Sequence, residues 1–110
     1  GRHEVPAWHG TLVIETVDAG GLAQAGSDAI ELRARQGGER FQSHARGVPR
    51  SLKKQFQAAG IPSWARAAPL LWRGDALVFV PGLGLDARAL APEGQAQWRL
   101  VWEPWAAPGR

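Results

Sequence analysis

Between Trp8 and Val17 the chain concentrates β-branched and apolar residues (Thr11, Leu12, Val13, Ile14, Thr16, Val17), which predicts a strand. Asp18 to Gly21 follows as a turn, its Gly20-Gly21 pair tolerating positive φ. Asp28 to Arg35 alternates: Ile30, Leu32 and Ala34 point one way, Glu31, Arg33 and Arg35 the other. Arg33 and Arg35 are therefore expected on one sheet face, roughly 7 Å apart by strand rise. Gln36 to Glu39 turns into a short strand around Arg40–Gln42, and His44 to Arg50 reads as a loop.

Helical spacing begins after Ser51, a good N-cap, with Leu52, Phe56 and Ala59 on one face. Gly60 and Pro62 end that helix, placed at about 51–59, and a second short helical turn is expected at 63–67. Leu70–Trp72 and Leu77–Val80 flank Arg73-Gly74-Asp75-Ala76 as a hairpin. Pro81 to Leu85 is an irregular crossing, and Gln97 to Glu103 forms the last strand. There Trp98, Leu100 and Trp102 alternate with Arg99, Val101 and Glu103, so core packing accounts for these rings better than ligand stacking. Residues 1–7 show no period and read as a linker or tag remnant, 8–104 as a single domain, and 105–110 as a tail. The pattern as a whole predicts an α+β domain, mainly antiparallel, with sandwich- or barrel-like sheets and one clear helix.

With 110 residues the chain holds one modest core. No apolar run reaches the ~18 residues that would span a bilayer, and no signal peptide opens it. The lack of Cys fits a reducing cytoplasm and leaves no thiolate for a metal or disulfide. There is no Met, even at position 1, which suggests an excised piece of a longer protein with Gly1 a tag remnant. No Walker loop, zinc pattern or nucleophile elbow is present, and His3, His9 and His44 lack metal-ligand spacing. No catalytic residue, metal or cofactor is therefore expected in this fragment. Glu39 is read as a salt-bridge partner of Arg40 that orders its turn.

Charge changes the picture. Between positions 33 and 66, eight basic residues face the single acid Glu39, a local charge of +7, while the rest of the chain carries −4. Such polarity attracts a polyanion, and Arg33, Arg35, Arg40, Arg46, Arg50, Lys53, Lys54 and Arg66 become candidate contacts. Eleven of the thirteen basic residues are Arg, which suits forked contacts to phosphate. A solvated surface, or an acidic protein partner, would produce the same composition.

The blocks Arg35-Gln36-Gly37-Gly38-Glu39-Arg40, Ser51-Leu52-Lys53-Lys54, Ile61-Pro62-Ser63-Trp64-Ala65-Arg66 and Gly82-Leu83-Gly84-Leu85-Asp86 occur in this order. Their order and spacing resemble the C-terminal domain of bacterial tRNA(Ile)-lysidine synthetases over roughly residues 28 to 88. Ser63 stands where that family usually has a second Pro, Gln55 where an apolar residue is common, and Trp72 where Tyr is frequent. The Ser-Gly-Gly-x-Asp-Ser ATP pyrophosphatase loop of the family's N-terminal part is absent from this chain.

The resemblance implies a sandwich-like fold shared with the phenylalanyl-tRNA synthetase β subunit. It also implies a parent ATP-dependent ligase that adenylates the wobble cytidine of tRNA(Ile) with a CAU anticodon, which lysine then attacks. ATP would be bound by that separate catalytic domain, and this domain would grip the acceptor stem through the eight basic residues. Arg33, Arg35 and Arg40 would supply forked phosphate contacts from a strand–turn–strand scaffold. Lys53 and Lys54 would act near the free N–H groups of a helix start, with Arg46 and Arg50 closing around the backbone. Arg66 is open to a structural pairing instead, and Trp64 is assigned to the core in preference to stacking on a terminal base pair. Replacing Arg33 and Arg35 by Ala is expected to weaken RNA binding without touching the fold. The competing reading is a protein-interaction or homodimerisation module with a Trp-rich apolar face.

Overall fold

The computed structural model describes residues 1–24 and 29–105, without the side chain of Trp64. Strands β1 (Arg2–Val5), β2 (Gly10–Val17), β3 (Leu22–Ala23) and β10 (Gln97–Pro104) form one antiparallel sheet in the order β1-β2-β10-β3. Its backbone is the long β2–β10 ladder, which runs in register from Gln97↔Val17 to Pro104↔Gly10.

Residues 1–7, expected as a linker, instead carry β1, paired with β2 from Arg2↔Val13 to Val5↔Gly10. This strand is almost wholly exposed. It therefore shows no hydrophobic period and is held by its ladder and by a 2.7 Å ion pair from Arg2 to Glu103. Sequence periodicity reports burial, and a mostly exposed strand held by its ladder escapes it.

Strands β4 (Ile30–Arg33), β7 (Leu70–Arg73), β8 (Ala76–Val80) and β9 (Gly84–Leu85) form a second sheet, ordered β4-β7-β8-β9. β7 and β8 make the expected hairpin, closed by Gly74 at φ 59° and Asp75. Leu12, Leu22 and Leu100 of the first sheet meet Leu71, Val78 and Phe79 of the second in one core. Trp98 and Trp102 pack against that core, as the alternation in β10 predicted.

The second sheet is a middle layer. Leu77, Val78, Phe79 and Val80 are all buried, because both faces of β8 are covered and alternation gives way to a continuous apolar run. On its far side lie the ribbon of β5 (Arg40–Phe41) with β6 (Arg50–Ser51) and the helix α1 (Leu52–Ala58). Phe41, Leu52 and Phe56 from this third layer pack on Leu70, Leu77 and Val80.

α1 starts where its cap predicts: the Ser51 hydroxyl accepts the Lys54 N–H at 3.2 Å. It ends in a Schellman turn, with Gly60 at φ 70° and Ile61 N–H donating to the Phe56 carbonyl at 3.0 Å. Ala59, expected on the buried face, is exposed at the C-cap. Short 3-10 turns occupy Ser63–Ala67, as expected, and also Pro6–Trp8 and Ala87–Ala89.

Candidate nucleic-acid interface

Most of the exposed positive charge belongs to the third layer. Arg40 lies on β5, Arg46 in the loop that follows, Arg50 on β6, and Lys53 and Lys54 in the first turn of α1. All five are exposed. Among the described residues the ion pairs are Arg2–Glu103, Arg33–Glu31, Arg88–Asp86 and Arg99–Glu15, so none of the five is neutralised by a carboxylate.

The scaffold beneath these charges is held by bonds to main chain. Gln55, reaching back from α1, donates to the Phe41 carbonyl at 2.5 Å and the Arg50 carbonyl at 3.1 Å, one on each strand of the ribbon. The Gln42 side chain donates to the carbonyls of His44 and Ala45 and so shapes the loop before Arg46. Glu39 does order its turn, but not through Arg40. Its carboxylate accepts the N–H groups of Gln36 at 2.8 Å and Gly37 at 2.9 Å. At the start of α1 two backbone donors are already engaged, Lys54 N–H by Ser51 and Leu52 N–H by the Glu39 carbonyl. Lys53 and Lys54 therefore offer their ammonium groups rather than a free helix terminus.

The ribbon is tied to the middle sheet by Asp86, which is fully buried. Its carboxylate accepts the Gln42 N–H at 3.0 Å, the Arg88 N–H at 2.9 Å, and both Nε and one terminal nitrogen of Arg88 at 3.0 and 2.8 Å. Burial pushes this carboxyl up, but the Arg88 side chain and the two backbone donors outweigh it and hold the group below its ordinary value. The same contact raises the Arg88 guanidinium further above its already high value.

Arg33, Arg35 and Arg66 are only half-exposed, and each lies over an aromatic ring. The Arg33 guanidinium sits 5.2 Å from the Trp72 ring centre, pairs with Glu31 at 3.1 Å and donates to the Gly74 carbonyl. Arg35 and Arg66 lie 5.1 and 5.6 Å from the Phe56 ring, and Arg66 also donates to the Ile61 carbonyl at 2.8 Å. The eight residues singled out in the sequence thus divide into five exposed cations and three that also hold the fold together. The expectation that Arg33 and Arg35 could be removed without structural consequence is corrected by these contacts. The assignment of Trp64 lies outside the described residues.

Sequence reasoning noted Gln55 only as a departure from the family pattern and gave Asp86 no role. Only the match of Gln55 to a backbone-facing position would have marked it, and that needs the register of the ribbon. It also left out Arg73 and Arg88, which stand outside the basic segment yet line a cleft beside Arg40.

Among the tryptophans whose side chains are described, only Trp105 is exposed, and its Nε1–H donates to the Thr11 hydroxyl at 2.8 Å. A Trp-rich apolar outer face is therefore not found among the described residues. No helix among them is long and apolar enough to cross a membrane.

Known proteins match this chain along most of its length. The tRNA(Ile)-lysidine synthase of Ralstonia nicotianae is 43% identical over 105 residues, covering 94% of this chain and 22% of that protein. Its counterpart in Burkholderia pseudomallei is 40% identical over 115 residues, covering 93% and 23%. The chain thus spans under a quarter of the length of these curated relatives. A crystal structure of the TilS C-terminal domain superimposes with a TM-score of 0.69 at 22% identity, covering 97% of this chain and 92% of the other, which establishes a shared fold. A family model described as the TilS substrate C-terminal domain matches residues 30–102, and the chain belongs to that family.

Proposed function

We propose that this chain is the part of a tRNA(Ile)-lysidine synthase that grips tRNA, binding the acceptor-stem backbone without catalysing the reaction. The observation that carries the reading is the set of five exposed cations, Arg40, Arg46, Arg50, Lys53 and Lys54, unpaired with any carboxylate among the described residues and mounted on one clamped layer. An A-form stem hides its bases in a deep, narrow groove, so proteins hold it by phosphates, 2′-hydroxyls and shape. A rigid layer presenting Arg forks and Lys point charges meets that need. In this reading ATP and lysine are handled by a separate domain of the parent ligase, in the bacterial cytoplasm. The substrate is tRNA(Ile) with a CAU anticodon, whose wobble cytidine receives the lysine.

The test is anisotropy titration of a labelled tRNA(Ile) transcript with this chain, comparing wild type with a variant in which all five cations become Gln. Wild type is expected to bind in the micromolar range at low salt, and the variant at least ten-fold more weakly with an unchanged fold. Equal affinity for the two proteins would remove the reading. Sedimentation of the same samples separates it from homodimerisation, which predicts self-association without RNA.

A further inference from the structure

Beside the basic layer, the middle sheet and β3 enclose a cleft of about 620 Å³, within the usual range for small-ligand sites. Arg40 from β5, Arg73 from the end of β7 and Arg88 from the 3-10 turn after β9 all line it, opposed among the described residues by one lining carboxylate, Asp75. Its remaining wall is apolar, with Leu22 and Leu77 buried and Leu90 44% exposed.

Three details suit this cleft to a nucleotide. First, Arg73 lines the cleft, and among the described residues no side-chain hydrogen bond of its guanidinium is found, its Nε being buried without a partner. The terminal nitrogens of this guanidinium are therefore not committed to an acceptor within the described residues and can meet an acceptor oxygen in the cleft. Second, Arg88 spends its Nε and one terminal nitrogen on Asp86, which fixes the guanidinium and leaves its other terminal nitrogen unused by that pair. Third, Arg40 belongs to both the cleft and the exposed cationic layer, so a phosphate chain tracking the layer reaches the cleft directly.

We propose that the cleft receives one unpaired nucleotide of the bound RNA, with its phosphate on Arg40, Arg73 and Arg88 and its base against Leu90, Ala76 and Ala89. This rests on the RNA-binding reading above. A base stacked in a duplex cannot enter a concave site, whereas an unpaired one can be splayed out and covered by side chains.

The experiment compares two short RNA hairpins of identical stem, one blunt and one extended at its 3′ end by a few unpaired nucleotides. Wild type is expected to bind the extended hairpin about ten-fold more tightly, the scale of one buried base. Arg73→Gln and Leu90→Glu should each reduce that preference to about two-fold or less, while the stem itself stays bound through the outer layer. Cytidine 5′-monophosphate should compete with the extension, and inorganic phosphate at the same concentration should not. Equal binding of both hairpins by wild type overturns the cleft assignment and leaves stem binding standing. Failure to bind either hairpin overturns both readings. Displacement by inorganic phosphate as effective as by the nucleotide reduces the cleft to an anion site and also overturns the proposal.

Discussion

The Asp86 carboxylate accepts the backbone N–H of Gln42 at 3.0 Å, joining positions 44 residues apart in sequence. Around this bond Ala87 N–H donates to the Gln42 carbonyl at 2.8 Å and Asp86 N–H to the Val78 carbonyl at 2.9 Å. The charged ribbon is therefore stitched to the middle sheet at its first strand. Asp86→Ala would leave the Gln42 N–H without its acceptor and Arg88 without its partner. It is expected to destabilise the fold by about 3 kcal/mol in urea denaturation. Amide protection at Gln42 should fall with it, and stability within about 0.5 kcal/mol of wild type would show that the stitch is dispensable.

Acid should undo the same contact. The folded pKa of Asp86 lies below its ordinary value of 3.8, so the unfolded chain binds the proton first as pH falls. The stabilisation is thus complete above about pH 4 and is lost as pH drops through the folded pKa. The stability gap between wild type and Asp86→Asn is expected to narrow from about pH 6 to about pH 3. A gap of constant size across that range contradicts the assignment.

The two classes of cation should behave differently on mutation. Lys53→Ala with Lys54→Ala is expected to lower the salt slope of tRNA binding by about two, one for each phosphate contact, with the melting temperature unchanged. Arg35→Ala should instead lower stability by about 1 kcal/mol, because its guanidinium covers the Phe56 ring. Thermal melts and salt titrations on the same preparations separate the two effects.

Gly10 lies under the Trp102 indole, and a Cβ added there would overlap the ring. Gly10→Ala is expected to cost about 2 kcal/mol and to alter the near-ultraviolet circular dichroism of the tryptophans. An unchanged spectrum and melting point would place Trp102 elsewhere.

Those elements that bury a face were legible in the sequence. The alternation in β10, the Ser51 cap and Leu52–Phe56 spacing of α1, and the Gly74-Asp75 hairpin all appear where the pattern put them. β1 was not legible, because its side chains are exposed and its ladder leaves no trace in composition. The basic segment was found by counting charge, but counting cannot separate Lys53, which is exposed, from Arg35, which lies on an aromatic ring. That distinction depends on which ring lies beneath the guanidinium. Gln55 stayed hidden because its partners are peptide carbonyls, which every residue type supplies, and Asp86 because its acceptance from the Gln42 N–H joins positions far apart in the chain.

The Gln55 clamp has an evolutionary consequence. Because it holds the ribbon by the carbonyls of Phe41 and Arg50, it leaves the side chains at positions 40, 46, 50, 53 and 54 outside its own bonds. Substitution can therefore add, remove or reverse charge at these places with little penalty to folding, so the surface charge of the layer can change while its frame is inherited.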